Sequence, residues 1–212
     1  QMCIRDRTIT ATPEEGYKVA TVTVEDASGH TLKVTNIGSG KYTFEQPDSK
    51  VVITVTFVWD SPFVDVGDKW YTEAVQYVYE NGLMAGTSDT TFDPETKMNR
   101  AMAVQILYNL EGQPTVNSEA TFTDADAAGA WAVNAIAWAE STSVVAGYGD
   151  GTFLPKKLVS REEFAQIMYN YAVYKQLDTT AAADLTKFPD SGNVHSWAET
   201  AMEWANGNEL IN

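Results

Sequence analysis

The sequence predicts a two-part chain, mixed β and mainly α: a small antiparallel β module followed by tandem helix-loop-helix repeats. Three observations carry this. Residues 8–58 alternate apolar and polar at period two and are rich in β-branched residues, whereas after Pro62 the apolar spacing becomes that of amphipathic helices. The stretch Gly149-Asp150-Gly151-Thr152-Phe153-Leu154-Pro155, followed by Ser160-Arg161-Glu162-Glu163-Phe164, has an earlier counterpart. It reads Ser88-Asp89-Thr90-Thr91-Phe92-Asp93-Pro94, then Asn99-Arg100-Ala101-Met102-Ala103, with the same Phe-to-Arg spacing. Trp70, Trp131 and Trp197 extend the register to a third copy, and a repeat decides architecture before local propensity does.

At 212 residues and 44% hydrophobic content, the chain is long enough for two small domains with cores of their own. No apolar run approaches the ~18 residues of a membrane helix. The nearest, residues 51–59, is interrupted by Thr54 and Thr56, so membrane insertion is not expected. The one cysteine, Cys3, allows neither an internal disulfide nor a thiolate zinc site. Of the 14 Lys and Arg and 29 Asp and Glu, 6 and 8 fall in residues 1–62, so 13 of the 15 net negative charges lie in the helical part. A field of that sign disfavours nucleic acid and anionic lipid, while leaving room for an anionic ligand held by local arginines.

Taken in order, residues 1–7 have no apolar core of signal-peptide length and do not match the strand pattern behind them. They read as a leader outside the fold. Residues 8–58 then form a β-rich spacer of four or five strands, with strands at 17–24, 31–34, 41–45 and 51–57. Turns fall at Asp26-Ala27-Ser28-Gly29, Gly38-Ser39-Gly40 and Pro47-Asp48. Trp59-Asp60-Ser61-Pro62 ends the module, because proline cannot continue a central strand.

The repeats occupy residues 63–112, 122–172 and 188–212, each opened by Phe-x-Asp: Phe63-Val64-Asp65, Phe122-Thr123-Asp124 and Phe188-Pro189-Asp190. Behind the tryptophans, Ala74/Ala135/Ala201, Val75/Ile136/Met202 and Val78/Ala139/Ala205 place one apolar stripe on a helix, expected at 70–81 in the first copy. Tyr77, Trp138 and Trp204, seven positions on, are expected in the core. A loop turns at Gly86 or Gly147, and Phe92 or Phe153 plugs it onto the core. A second helix starts after Asn99 or Ser160, both capping residues, and runs to about Leu110 or Tyr171. Only Ser160 with Glu163 makes a full capping box; Met102 replaces the Glu in the first copy. The third copy stops at Asn212 before its loop, so the expectation is of a piece of a longer protein with an incomplete third groove.

The Phe-x-Asp, Trp, Gly, Gly-Thr-Phe-x-Pro and Arg-bearing helix start together resemble the S-layer homology (SLH) repeat, over about 150 residues. The β part resembles short β-rich repeat modules of Gram-positive surface proteins. The SLH resemblance implies three repeats in a pseudo-threefold prism. Grooves between them would bind an anionic secondary cell-wall polysaccharide, often pyruvylated, and anchor an exported, extracellular protein to the wall. No cofactor is implied. Two other readings stay open: a self-assembling S-layer subunit, or the anchor of a surface enzyme or adhesin.

The candidate ligand-binding set is Arg100, Arg161, Asp65, Asp124, Asp190, Trp70, Trp131, Trp197, Gly86 and Gly147. Arg100 and Arg161 stand apart for a reason independent of any resemblance. At a first helical position the macrodipole disfavours a cation by about 0.3–1 kcal/mol, so each needs a nearby anion. That anion is either a Phe-x-Asp carboxylate or a carboxylate on a ligand. The aspartates themselves either cap their loops or touch the sugar.

Other chemistry finds little support. Asp124-Ala125-Asp126-Ala127-Ala128-Gly129 opens like a calcium loop but has Ala128 and Ala135 where ligands belong. Gly149-Asp150-Gly151 lacks the residues of a phosphate loop. His30 and His195 fall in different modules, so no histidine cluster forms within either. No carboxylate pair is singled out for glycoside hydrolysis, and no enzyme activity is expected.

Overall fold

The computed structural model describes residues 5–211. Cys3 therefore lies outside the described residues, as do Asn212 and most of the expected leader. The elements are β1 (Arg5–Thr10), β2 (Tyr17–Asp26), β3 (Val34–Gly38), β4 (Lys41–Gln46), β5 (Val51–Trp59), α1 (Thr72–Glu80), α2 (Arg100–Leu110), α3 (Ala130–Ser141), α4 (Arg161–Tyr174) and α5 (Glu199–Gly207). Short 3₁₀ turns at Leu185–Lys187 and Ser191–Asn193 precede α5. Chain contacts divide the molecule into two compact units. One holds residues 1–76 and 87–92; the other holds 77–86 and 93–212.

In the first unit, β1, β4 and β3 form an antiparallel sheet in the order β1-β4-β3, and β2 pairs with β5 as a two-stranded ribbon. β2, β4 and β5 form where the sequence places strands, with two differences elsewhere. Arg5, Asp6 and Arg7, set outside the fold on pattern, pair in register with Gln46, Glu45 and Phe44, because partner backbone supplies what side-chain alternation lacks. The strand expected at 31–34 begins instead at Val34, since Thr31 and Leu32 are drawn to β2: Thr31 bridges Glu25, and the Leu32 N–H donates to the Val24 carbonyl at 2.7 Å. Gly40 has to be glycine. Its φ is +70°, and a Cβ there would stand 2.5 Å from the Ala11 carbonyl oxygen.

The same unit holds the opening of the first repeat. Phe63 and Phe92 are buried edge to face, 5.3 Å between centroids. The Phe92 N–H donates to an Asp65 carboxylate oxygen at 2.9 Å, and the Val64 N–H to the Thr90 carbonyl at 2.9 Å. The Phe-x-Asp segment is thus stitched to the loop 29 residues on.

The second unit repeats that stitching. Phe122 stacks on the fully buried Phe153 at 5.4 Å, and the Thr123 N–H donates to the Gly151 carbonyl. Both oxygens of Asp124 are used, accepting from the Phe153 and Leu154 N–H groups at 2.8 and 2.9 Å. Helix starts fall where the capping residues place them. The Asn99 side chain accepts from the Met102 N–H, and Ser160 with Glu163 closes a complete capping box.

Packing runs between copies as well as within them. α2 lies on α3, burying Ala101, Val104 and Leu107 against Ala132, Ala135, Ile136 and Ala139. α4 lies on α5 through Ala165, Ala172, Ala201 and Ala205, whose small side chains let the backbones approach closely, with Trp204 edge-on to Tyr169. Trp138 and Trp204 are core rings as expected, but Tyr77 is 62% exposed and Ala74 is exposed. In α3 and α5 the stripe faces the helix that ends the preceding repeat. α1 is preceded by strands, and of its stripe only Val75 is buried.

Candidate functional site

The charged and aromatic side chains of the second unit converge where successive repeats meet. The first such place is a groove of about 430 Å³ bounded by the Ala146-Gly147-Tyr148-Gly149 loop, by Glu163, Gln166 and Asn170 of α4, by Arg100 of α2 and by Trp197. Three repeats contribute to it. The loop can take this path because residue 147 has no side chain: a Cβ there would collide with the Phe122 ring and approach the Thr152 carbonyl to 2.6 Å. Gly147 is thus required by packing against its own repeat.

Arg100 starts α2 at its first position, as the spacing indicates, but its head is buried, only 6% exposed, inside the next repeat. Its Nε donates to the Phe153 carbonyl at 2.9 Å and one Nη to the Ala146 carbonyl at 3.3 Å. The guanidinium also lies over the Phe153 and Tyr148 rings at 4.7 and 5.1 Å. The anion beside it is Glu163, 3.5 Å from the other Nη, in place of the Phe-x-Asp carboxylate that the sequence left as one of two alternatives. Asp65 and Asp124 hold their loops instead, with the carboxylates turned to backbone N–H groups.

Glu163 is the hub of this groove. One oxygen accepts from Tyr148 Oη at 2.6 Å and Lys157 Nζ at 2.7 Å, and the other accepts from the Ser160 N–H at 2.9 Å. Burial alone would raise its pKa, but bonds from Lys157, Tyr148 and Ser160 outweigh burial and hold it at about 2. Lys157 moves the opposite way, raised chiefly by its bond to Glu163. The groove therefore carries a fixed carboxylate neutralised from several sides, with a half-exposed Trp197 as its wall.

Arg161 and Asp190 come together in a second cleft, of about 390 Å³, with Glu162, Phe188, Met202 and Asn206. Arg161 is exposed there, unlike Arg100, and Asp190 makes no capping hydrogen bond with its side chain. The remaining candidates lie elsewhere. Trp70 is 92% exposed and edge-on to Tyr71. Trp131 turns its indole N–H to the Ala128 carbonyl at 2.8 Å. Gly86 takes a φ of +81° at its turn.

A pair that the sequence reading missed occurs at the same places in both copies. Gln105 donates to Asn109, which donates to the Leu83 carbonyl at 2.9 Å. Gln166 and Asn170 do the same toward the Val144 carbonyl at 3.1 Å. The signal was present as polar residues recurring on otherwise apolar helix faces. Among the described residues, no group of three or more His, Cys, Asp or Glu is placed to hold a metal ion, and no helix is long and apolar enough to cross a membrane.

The fold and its clefts define a tandem-repeat protein whose charged and aromatic sites lie at the seams between copies. Residues 62–103 and 121–165 match the model of the S-layer homology domain, and these two segments are SLH repeats. The chain is 31% identical over 142 residues, 66% of its length, to the surface-layer 125 kDa protein of Lysinibacillus sphaericus. It is 37% identical over 93 residues, 42% of its length, to the cellulosome-anchoring protein of Acetivibrio thermocellus. Against an endoglucanase of Bacillus sp. it is 26% identical over 151 residues, 71% of its length. The chain spans only 11%, 21% and 16% of these three relatives.

Proposed function

We propose that the repeats anchor an exported protein non-covalently to a Gram-positive cell wall by binding an anionic secondary cell-wall polysaccharide, with a pyruvyl-ketal carboxylate as its charged group. The observation that carries this reading is the seam groove. It combines an exposed indole face, the Tyr148 hydroxyl, the Gln166 and Asn170 amides and the field of Arg100 and Lys157. Sugars are recognised through such a mix, their C–H faces on an aromatic ring and their hydroxyls on amides and backbone. Arg161 and Asp190 supply the second cleft. Arg100 has its donors turned to protein acceptors, so it acts on the ligand through charge, and Arg161, at an exposed position in the second cleft, adds a second cation.

The relatives support anchoring as the shared role. Proteins named for a surface layer, an endoglucanase and cellulosome anchoring have in common a segment like this one. No catalytic step is assigned to it. For the arrangement of repeats, the stacking of α2 on α3 and α4 on α5 supports a rotational series. Repeating that step once more would complete a pseudo-threefold prism.

The test is sedimentation of the chain with purified sacculi before and after extraction of their secondary polymer. Pelleting with intact sacculi and release after extraction are expected; equal pelleting with bare peptidoglycan would refute the glycan assignment.

A further inference from the structure

The wall of the Arg100 groove is fixed from outside the groove, by a contact between the second repeat and the segment leading into α5. Glu162, in the first turn of α4, turns its carboxylate to His195, 33 positions away. One oxygen accepts from the His195 backbone N–H at 3.1 Å, and Nδ1 is 2.9 and 3.0 Å from the two oxygens. A carboxylate accepts only, so Nδ1–H is the donor in this contact. The imidazole then stacks on Trp197, with 5.9 Å between centroids and 24° between planes. Trp197 is also part of the lining of the groove that holds Arg100, Tyr148 and Gln166.

The aligned positions of the preceding junction lack this device. Ala101 stands where Glu162 does, Gly129 where His195 does, and Trp131 is tethered instead by its own indole N–H to Ala128. The repeat fold forms there without a clamp. The clamp is therefore particular to the second junction, where Trp197 of the third repeat joins the groove lined by Arg100, Tyr148 and Glu163.

We propose that Glu162 and His195 are positioning residues for the groove: the carboxylate holds the imidazole, and the imidazole holds Trp197 at the angle at which its indole receives a sugar face. This rests on the glycan reading above and extends it to residues outside the groove. Stacking a ring on one face of an indole leaves the other face as the platform, and an unclamped indole would lose binding to rotamer freedom.

The test uses the whole chain and a glycoside carrying a pyruvyl ketal as probe, with binding measured by calorimetry. Glu162→Ala and His195→Ala are expected to weaken binding about tenfold. His195→Asn, which keeps a donor for Glu162 but has no ring to stack on Trp197, should weaken binding as His195→Ala does. In a Trp197→Ala background, His195→Ala should change nothing further, because the clamp acts only through that ring. Additive losses in the double variant, or unchanged binding by His195→Ala, would overturn the proposal. A readout without ligand separates it from the glycan reading. The indole N–H resonance of Trp197, assigned with Trp197→Phe, should shift in His195→Ala and in His195→Asn alike. If it does not move, positioning is wrong; if it moves while the parent chain fails to bind the probe, the ligand is wrong.

Discussion

Arg100 and Arg161 begin equivalent helices with equivalent side chains, and their surroundings give them different work. The head of Arg100 is enclosed by two rings, two carbonyls and the Glu163 carboxylate, so its removal leaves buried acceptors unmet. Breaking a buried ionic contact of this kind costs about 3 kcal/mol. Arg100→Ala should therefore lower the thermal midpoint by roughly 6–12 °C for a chain of this size. Arg161→Ala, at an exposed position, should leave stability within about 0.5 kcal/mol while weakening pelleting with sacculi. Differential scanning calorimetry of the two variants checks this. An equal loss of stability in both would refute the division of labour. Binding by Arg100→Ala has to be read at a temperature where it is still folded.

At the scale of elements, the helices that open the three repeats all end on a residue with left-handed backbone. After α1 it is Gly82 at φ +66°, after α3 Ser143 at +59°, and after α5 Glu209 at +58°. A non-glycine residue there costs about 1–2 kcal/mol, part of which glycine returns as unfolded-chain entropy. Ser143→Gly should raise stability by about 1 kcal/mol and Ser143→Ala should not, as urea titration would show. No gain from glycine would mean that the turn is relaxed in another way. The same scale shows where local signals suffice. Asn99, Ser160 and Glu163 mark helix starts by the hydrogen bonds they offer, and those bonds form at those places. The α1 stripe shows where they fail, since periodicity says which residues share a face and nothing about what that face meets.

Across the whole molecule, the Glu163 cluster ties α2, the Tyr148 loop and α4 together, and it makes stability depend on pH. The folded-state pKa of Glu163, about 2, lies below its ordinary 4.5. Its contribution is therefore complete above about pH 5 and is lost as pH falls toward 2. With Lys157 half exposed, the loss is about 1–3 kcal/mol. Glu163→Gln should flatten that part of the profile, so unfolding free energies at pH 7 and pH 3 should differ less for the variant than for the parent. Equal differences would show that other carboxylates carry the acid response. Lys157, raised above its ordinary value by the same contact, contributes up to alkaline pH and loses its share only there.

Composition, period and repetition by themselves determined the division into β and helical parts, the phase of the repeats, the helix starts, the burial of Phe92 and Phe153, and the resemblance to SLH repeats. These are properties of neighbouring residues, and local backbone geometry converts spacing directly into faces and turns. Which arginine is buried, which tryptophan walls a groove, which carboxylate answers Arg100 and why residue 147 is glycine were decided only by the tertiary structure. The partners in those contacts stand 63 positions apart for Arg100 and Glu163, and 33 for Glu162 and His195. No local period relates residues that far apart; packing one repeat on the next brings them together.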